Sequence, residues 1–127
     1  MNNNIVIIGF MGTGKTALGK RLAERLGKNF FDTDEDIERV SGMSVGRIFS
    51  VYGEVRFRSE EALAAKRASK LQNTVIATGG GIVINRENMD LLSKNAIIIA
   101  LKADPKEIQR RVSKRNSFRP LLGSDRS

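Results

Sequence analysis

Ile5-Val6-Ile7-Ile8-Gly9-Phe10-Met11-Gly12-Thr13-Gly14-Lys15-Thr16 is the stretch from which the fold can be read. Its first four residues are apolar and β-branched, which suits a strand buried on both faces of a parallel sheet. Residues 9–16 then satisfy G-x-x-x-x-G-K-[ST] in full. Glycine lets backbone N–H groups converge on phosphate oxygens with no Cβ in the way. From Lys15 to Leu26 the pattern is that of an amphipathic helix. Leu18, Leu22 and Leu26 recur every fourth residue, while Lys20, Arg21, Glu24 and Arg25 take other faces. The positive end of that helix dipole points back at the glycines. Strand, glycine turn and helix start together make a phosphate-binding loop. Lys15 suits the β- and γ-phosphates of a nucleotide, and the Thr16 hydroxyl suits Mg²⁺. Gly12, Thr13, Gly14, Lys15, Thr16 and Ala17 are the candidate ATP contacts. The alternative is a glycine-rich turn that binds nothing, and the matching flanks argue against it. The loop implies nucleoside triphosphate binding but leaves the reaction open.

Outward from this loop, strands and helices alternate. Gly27 suits the residue after the first helix. Phe30-Phe31 before Asp32 reads as a second strand, and Asp34–Val40 as a helix with acids in its first turn. Ser44 can cap a helix carrying Val45, Ile48 and Phe49. A longer helix is expected over about Glu54–Leu71. TVIAT at Thr74–Thr78 reads as a strand, Glu87–Leu92 as a short helix, and AIIIAL at Ala96–Leu101 as a strand covered on both faces. Asp104-Pro105 would start a last helix, with Asp104 as its cap. The expectation is an α/β domain with a mostly parallel central sheet flanked by helices.

Composition narrows the chemistry. The chain has 127 residues, enough for one domain over 1–127 with a useful core. It has no cysteine and no histidine, so disulfides, thiolate or imidazole metal sites and His-based catalysis are excluded. Chemistry must run on carboxylates, Lys, Arg, hydroxyls and backbone amides. No apolar run is long enough to span a membrane, and MNNNIVII has no signal-peptide pattern. The net charge is +8, and from Lys102 onward eight Lys/Arg face only three acids. Such a balance suggests an anionic partner. Aromatics are only 6% with no Trp, which favours a small phosphorylated ligand over nucleic acid.

Four further features bear on what accepts the phosphate. Asp32 and Asp34 flank Thr33 at a strand end, where both can face a crevice at the carboxyl edge of a parallel sheet. One could reach a metal and the other a substrate hydroxyl, or both could merely cap the next helix. Arg58 could hold a ligand carboxylate bidentately, or pair with Glu54 or Glu61 along its helix. Gly79-Gly80-Gly81 marks close approach by a ligand or by another backbone. Arg119-Pro120-Leu121-Leu122 could belong to a mobile lid over about 113–127, or to a basic tail.

These features in this order resemble the shikimate kinases. GFMGTGKT, FDTD, Phe57-Arg58, Thr78-Gly79-Gly80-Gly81 and Arg119-Pro120-Leu121-Leu122 occur at that family's approximate spacing along the whole chain. The resemblance implies a three-layer P-loop kinase fold. It also implies a cytoplasmic enzyme of the shikimate pathway, leading to chorismate and the aromatic amino acids. ATP would phosphorylate the shikimate 3-hydroxyl with Mg²⁺ as cofactor, giving shikimate 3-phosphate and ADP.

Residue by residue, the resemblance makes Lys15 and Thr16 the phosphate and Mg²⁺ residues, and Asp32 the acid that holds Mg²⁺ through water. Asp34 would bind the shikimate hydroxyls and orient the attacking one. Arg58 would grip the carboxylate. Gly79, Gly80 and Gly81 would face the substrate, with Val45, Phe49 and Phe57 lining the ring pocket. Arg119 would reach the transferred phosphate, and Arg111, or its neighbours Arg110 and Arg115, would stack on adenine. Catalysis would rest on Lys15, Asp34 and Arg119. The partner is a small molecule, with neither nucleic acid nor membrane involved, and the complete protein would be a monomer.

Members of that family continue for several dozen residues past the RPLL motif. The missing part would carry another Arg for the carboxylate, the adenine loop, a last strand and a last helix. The expectation is a chain that lacks this segment, exposes an unpaired strand edge, and suffers in binding and turnover. The rivals are a related small-metabolite kinase such as a gluconate kinase, an inactive nucleotide-binding fragment, and a nucleic-acid binder using the basic tail.

Overall fold

A computed structural model describes residues 3–9 and 14–101. Its elements follow the alternation read from the sequence. They are β1 (Asn4–Gly9), α1 (Lys15–Leu26), β2 (Asn29–Asp32), α2 (Thr33–Ser41), α3 (Val45–Tyr52), α4 (Glu54–Ser69), β3 (Thr74–Ala77), α5 (Arg86–Ser93) and β4 (Ala96–Leu101). A single 3₁₀ turn, Ile82–Ile84, lies between β3 and α5. The sequence reading missed it, because three residues show no period.

The strands lie in the order β2-β3-β1-β4, and every pairing is parallel. The alternation of side chains across the pleat puts an apolar layer on each face. Val6 and Ile76 pack with Ala65 and Ala68 of α4, Ile82 of the 3₁₀ turn and Leu92 of α5. Ile7, Val75 and Leu101 pack on the other face with Ala23 of α1. The result is three layers, with α1 on one side of the sheet and α4 and α5 on the other. A third cluster of Ile37, Ile48 and Ala64 joins α2, α3 and α4.

Local chemistry explains the element ends. Gly27 closes α1 in the left-handed region, at φ 66°, as its place after the last leucine suggests. Ser44 caps α3 by accepting the Arg47 N–H at 3.1 Å. Gly19 is the point where α1 meets the sheet. A Cβ there would stand 2.6 Å from the Phe30 ring, so the helix approaches as closely as it does because the side chain is absent.

The run AIIIAL suggests cover on both faces, but the reading of the chain as a whole expects an unpaired edge and an open apolar face. The latter is what the described residues give: β4 pairs only with β1 among them, and Ile97 is 52% exposed. An apolar run alone does not distinguish a central strand from one at the sheet margin. The expected helix after Asp104 lies outside the described residues, as does the lid.

Asn4 ties the sheet to the end of α4. Its side-chain amide donates to the Leu71 carbonyl at 2.9 Å and accepts the Thr74 N–H at 2.9 Å. Asn4→Leu strands both groups, each worth about 1–3 kcal/mol when left unmet. Urea denaturation of this variant is expected to show a loss of about 2–4 kcal/mol. A loss below about 0.5 kcal/mol would contradict this account of the β1–β3 junction.

Candidate active site

The parallel sheet delivers the carboxyl ends of β1, β2 and β3 to one edge. A cleft of about 210 Å³ opens there, lined by Gly14, Lys15, Thr16, Ala17, Asp32, Asp34, Thr78, Gly79 and Gly80. Two of the sequence motifs, the glycine–lysine loop and the Asp-Thr-Asp segment, therefore meet the glycine turn in one place.

Asp32 caps a helix and lines the cleft at once. Oδ1 accepts the N–H groups of Asp34 and Glu35, at 2.9 and 3.1 Å, and so caps α2. Oδ2 accepts the Thr16 hydroxyl at 2.8 Å. A hydroxyl and a carboxylate oxygen thus lie side by side at the start of α1. Both are hard oxygen donors of the kind Mg²⁺ prefers, and Mg²⁺ usually takes only one or two protein oxygens beside substrate phosphates.

Lys15 is buried, and its Nζ donates to the Gly9 carbonyl at 2.6 Å. Burial lowers its pKa, while the charges of Asp34 and Asp32 pull it back up. Asp34 shows the opposite effect. Burial first, then the charges of Asp32, Glu61 and Glu38, push its carboxyl up to about 6, with Lys15 opposing.

The three glycines have distinct roles. A Cβ at Gly79 would run into Oδ1 of Asp34, with Cγ at 2.9 Å. A Cβ at Gly81 would run into Nη1 of Arg58. Gly80 has open space where its Cβ would be, and it is exposed to the cleft. A Cβ at Gly81 would also stand 2.9 Å from Oε2 of Glu61, so three side chains, those of Asp34, Arg58 and Glu61, make the closest approaches to this turn.

Arg58 is also paired along its helix, as the simpler reading supposed. Nη1 donates to Glu61 at 2.8 Å and Nη2 to Glu54 at 3.4 Å. Glu61 is 2% exposed, and burial raises its pKa against the opposing effect of Arg58. The sequence offered Glu61 as a partner of Arg58 but not its burial, since a helical acid three residues from a base reads as a surface group. Sequence reasoning missed Thr33, whose hydroxyl accepts the Gly79 N–H at 2.8 Å.

Val45 and Phe57 pack against the Ile37–Ile48–Ala64 cluster, and Phe49 meets Phe57 edge-on at 5.7 Å between ring centres. These three residues belong to α3 and α4, beside the cleft and not in its lining. Gly12, Thr13, Arg111 and Arg119 lie outside the described residues.

The comparisons with known proteins agree with one another. A family model described as shikimate kinase matches residues 11–127. The chain belongs to the shikimate kinase family. A shikimate kinase of Pelotomaculum thermopropionicum is 56% identical over 119 residues, which is 94% of this chain and 69% of that protein. One from Caldanaerobacter subterraneus is 54% identical over the same shares. A solved structure of shikimate kinase from Acinetobacter baumannii in complex with shikimate superposes with a TM-score of 0.80 at 34% identity. It covers 98% of this chain and 75% of that one. The family is one of ATP-dependent phosphotransferases with the P-loop kinase fold, and the four-stranded parallel sheet is this chain's version of it.

The raised Asp34 pKa has a stability consequence. Its folded value lies above its ordinary 3.8, so the protonated form favours folding. That contribution is present at low pH and is lost as pH rises from about 4 through about 6. Asp34→Asn removes the buried charge. In the shikimate kinase chain free of ligand and Mg²⁺, it is expected to raise Tm at about pH 8 and leave it little changed near pH 4. An equal shift at both pH values would show that burial of the charge is not the cause.

Proposed function

We propose that this chain transfers the γ-phosphoryl group of ATP to the 3-hydroxyl of shikimate, giving shikimate 3-phosphate and ADP. The observation that carries the proposal is the placing of the Asp34 carboxylate in one cleft with Lys15 and against Gly79, while Arg58 lies against Gly81 of the same turn. A charge for phosphate, an acceptor for a hydroxyl proton and a guanidinium for a carboxylate are the three groups this substrate needs.

Lys15 holds the β- and γ-phosphates as a compact charge, helped by backbone N–H groups at Gly12–Ala17 and the N-terminus of α1. Thr16 and Asp32 would hold Mg²⁺, since their two oxygens already lie together. When bound, the ion neutralises charge on the phosphates. Asp34 accepts a hydrogen bond from the attacking hydroxyl and takes its proton. A carboxylate whose pKa is about 6 is a better proton acceptor than an ordinary one while remaining ionised near neutrality. Arg58 binds the substrate carboxylate. Gly79 and Gly81 let Asp34 and Arg58 come close while Gly80 leaves room for the ring, and Val45, Phe49 and Phe57, beside the cleft, are assigned to the apolar side of the ring pocket. Arg119 and Arg111 are assigned to the transferred phosphate and to adenine. The catalysis is positioning and charge stabilisation, with no covalent step.

The reading takes the complete protein as a cytoplasmic monomer acting on a small molecule, without nucleic acid or membrane. Among the described residues no helix is long and apolar enough to cross a membrane.

Lys15→Ala is expected to lower kcat by about 10²–10³. Turnover close to the parent rate would sink the phosphate-loop assignment. Arg58→Ala is expected to weaken shikimate binding by roughly 2–5 kcal/mol, leaving ADP binding nearly unchanged. It also strands the buried Glu61, so its Tm falls too. Calorimetry with each ligand separates the two effects, and parent-like shikimate affinity would refute the carboxylate role.

A further inference from the structure

We infer that Thr33 is a positioning residue, whose buried hydroxyl fixes the Gly79 peptide and through it the Asp34 carboxylate. The inference rests on the shikimate kinase reading of the cleft. Thr33 is fully buried between the two aspartates and is the first residue of α2. Its Oγ1 accepts the Gly79 N–H at 2.8 Å, in a buried hydrogen bond between residues far apart in sequence. The next residue, Asp34, fills the space a Cβ of Gly79 would take. One helical turn therefore holds the same glycine by its N–H and by its α-carbon.

The preceding residue is fixed from a different strand. The Thr78 N–H and its hydroxyl both donate to the Ile7 carbonyl, at 3.1 and 2.9 Å. The Gly79 peptide thus spans from β1, which leads into the phosphate loop, to α2, which carries Asp34. Glycine has no side chain to hold its own conformation, so an outside anchor sets it. A buried N–H that loses its acceptor shifts or draws in water. Either response moves the surface against which the Asp34 carboxylate rests. The nucleotide side, built on α1, is left in place.

Thr33→Val keeps the shape of the side chain and removes the acceptor. Thr33→Ser keeps the acceptor and removes the methyl. If the threonine only fills space, valine is the milder change. If it positions Gly79, serine is. The expected result is that T33V raises KM for shikimate and lowers kcat, each by about tenfold, since small misplacements of reacting groups are costly. Its KM for ATP stays within about twofold, and T33S recovers to within about threefold of the parent. Parent-like shikimate constants in T33V, a T33S as impaired as T33V, or a loss shared equally by both substrates would overturn the proposal. Should T33V fail to fold, Thr33→Ala, where water can reach the Gly79 N–H, takes its place with the same expectations. A parent chain that does not phosphorylate shikimate would refute the functional reading instead. The role of Thr33 is then decided by the nuclear Overhauser contact between the Gly79 α-protons and the Asp34 β-protons. That contact is expected in the parent and T33S and lost in T33V, and its survival in T33V would overturn the role.

Discussion

The Asp32 carboxylate joins two helices by giving one oxygen to each, and the geometry of the cleft depends on that division. Oδ1 takes two N–H groups at the start of α2, while Oδ2 takes the Thr16 hydroxyl in α1. A carboxylate at a helix N-terminus is favoured because it meets unsatisfied donors at the positive end of the dipole. Here the same preference locks β2 and α2 to the phosphate side. The parallel register sets Asp32 opposite Ala77, so the glycine turn begins level with the start of α2. The start of α1, the aspartate pair and the glycine turn therefore cannot drift independently.

This arrangement concentrates like charge, and Asp34 bears the strain. Burial and three neighbouring carboxylates disfavour its ionised form, with Lys15 as the opposing charge. A fold selected for stability alone would put an apolar or amide group there. Sites that do chemistry keep such perturbed groups, and the rest of the molecule offsets them. The offset is visible in the paired clusters on either face of the sheet. It is visible too in the buried Asp36, which Arg39 and Arg67 neutralise from α2 and α4.

Most of the framework was legible in the sequence because its signals are periodic or obligatory. The leucines of α1 recur at helical spacing, and Ser44 and Gly27 sit where caps are needed. The site was legible in its residues but not in its contacts. For both Asp32 and Arg58, the simpler structural reading holds without taking the residue away from the site region. Asp32 caps and faces the cleft, while Arg58 pairs with Glu54 and Glu61 and also reaches Gly81. The glycines signalled a close approach, but not that Asp34 and Arg58 make it at Gly79 and Gly81, since sequence cannot say which side chain fills a missing Cβ. Thr33 carried no signal at all. A threonine between two aspartates has no pattern that separates a buried acceptor from a helix start.

The electrostatics also resolve an apparent conflict between the chain and its cleft. The whole sequence is basic by eight charges. Around Asp34, however, the described residues place Asp32, Glu38 and Glu61, with Lys15 as the nearby cation and Arg58 engaged by Glu61 and Glu54. A triphosphate brought to such a cleft alone meets repulsion that low local dielectric makes worse. Positive charge that comes with it, such as a divalent ion on the Thr16 and Asp32 oxygens, would relieve that repulsion. Arginines packed permanently against Asp34 would pull its pKa down and blunt it as a proton acceptor.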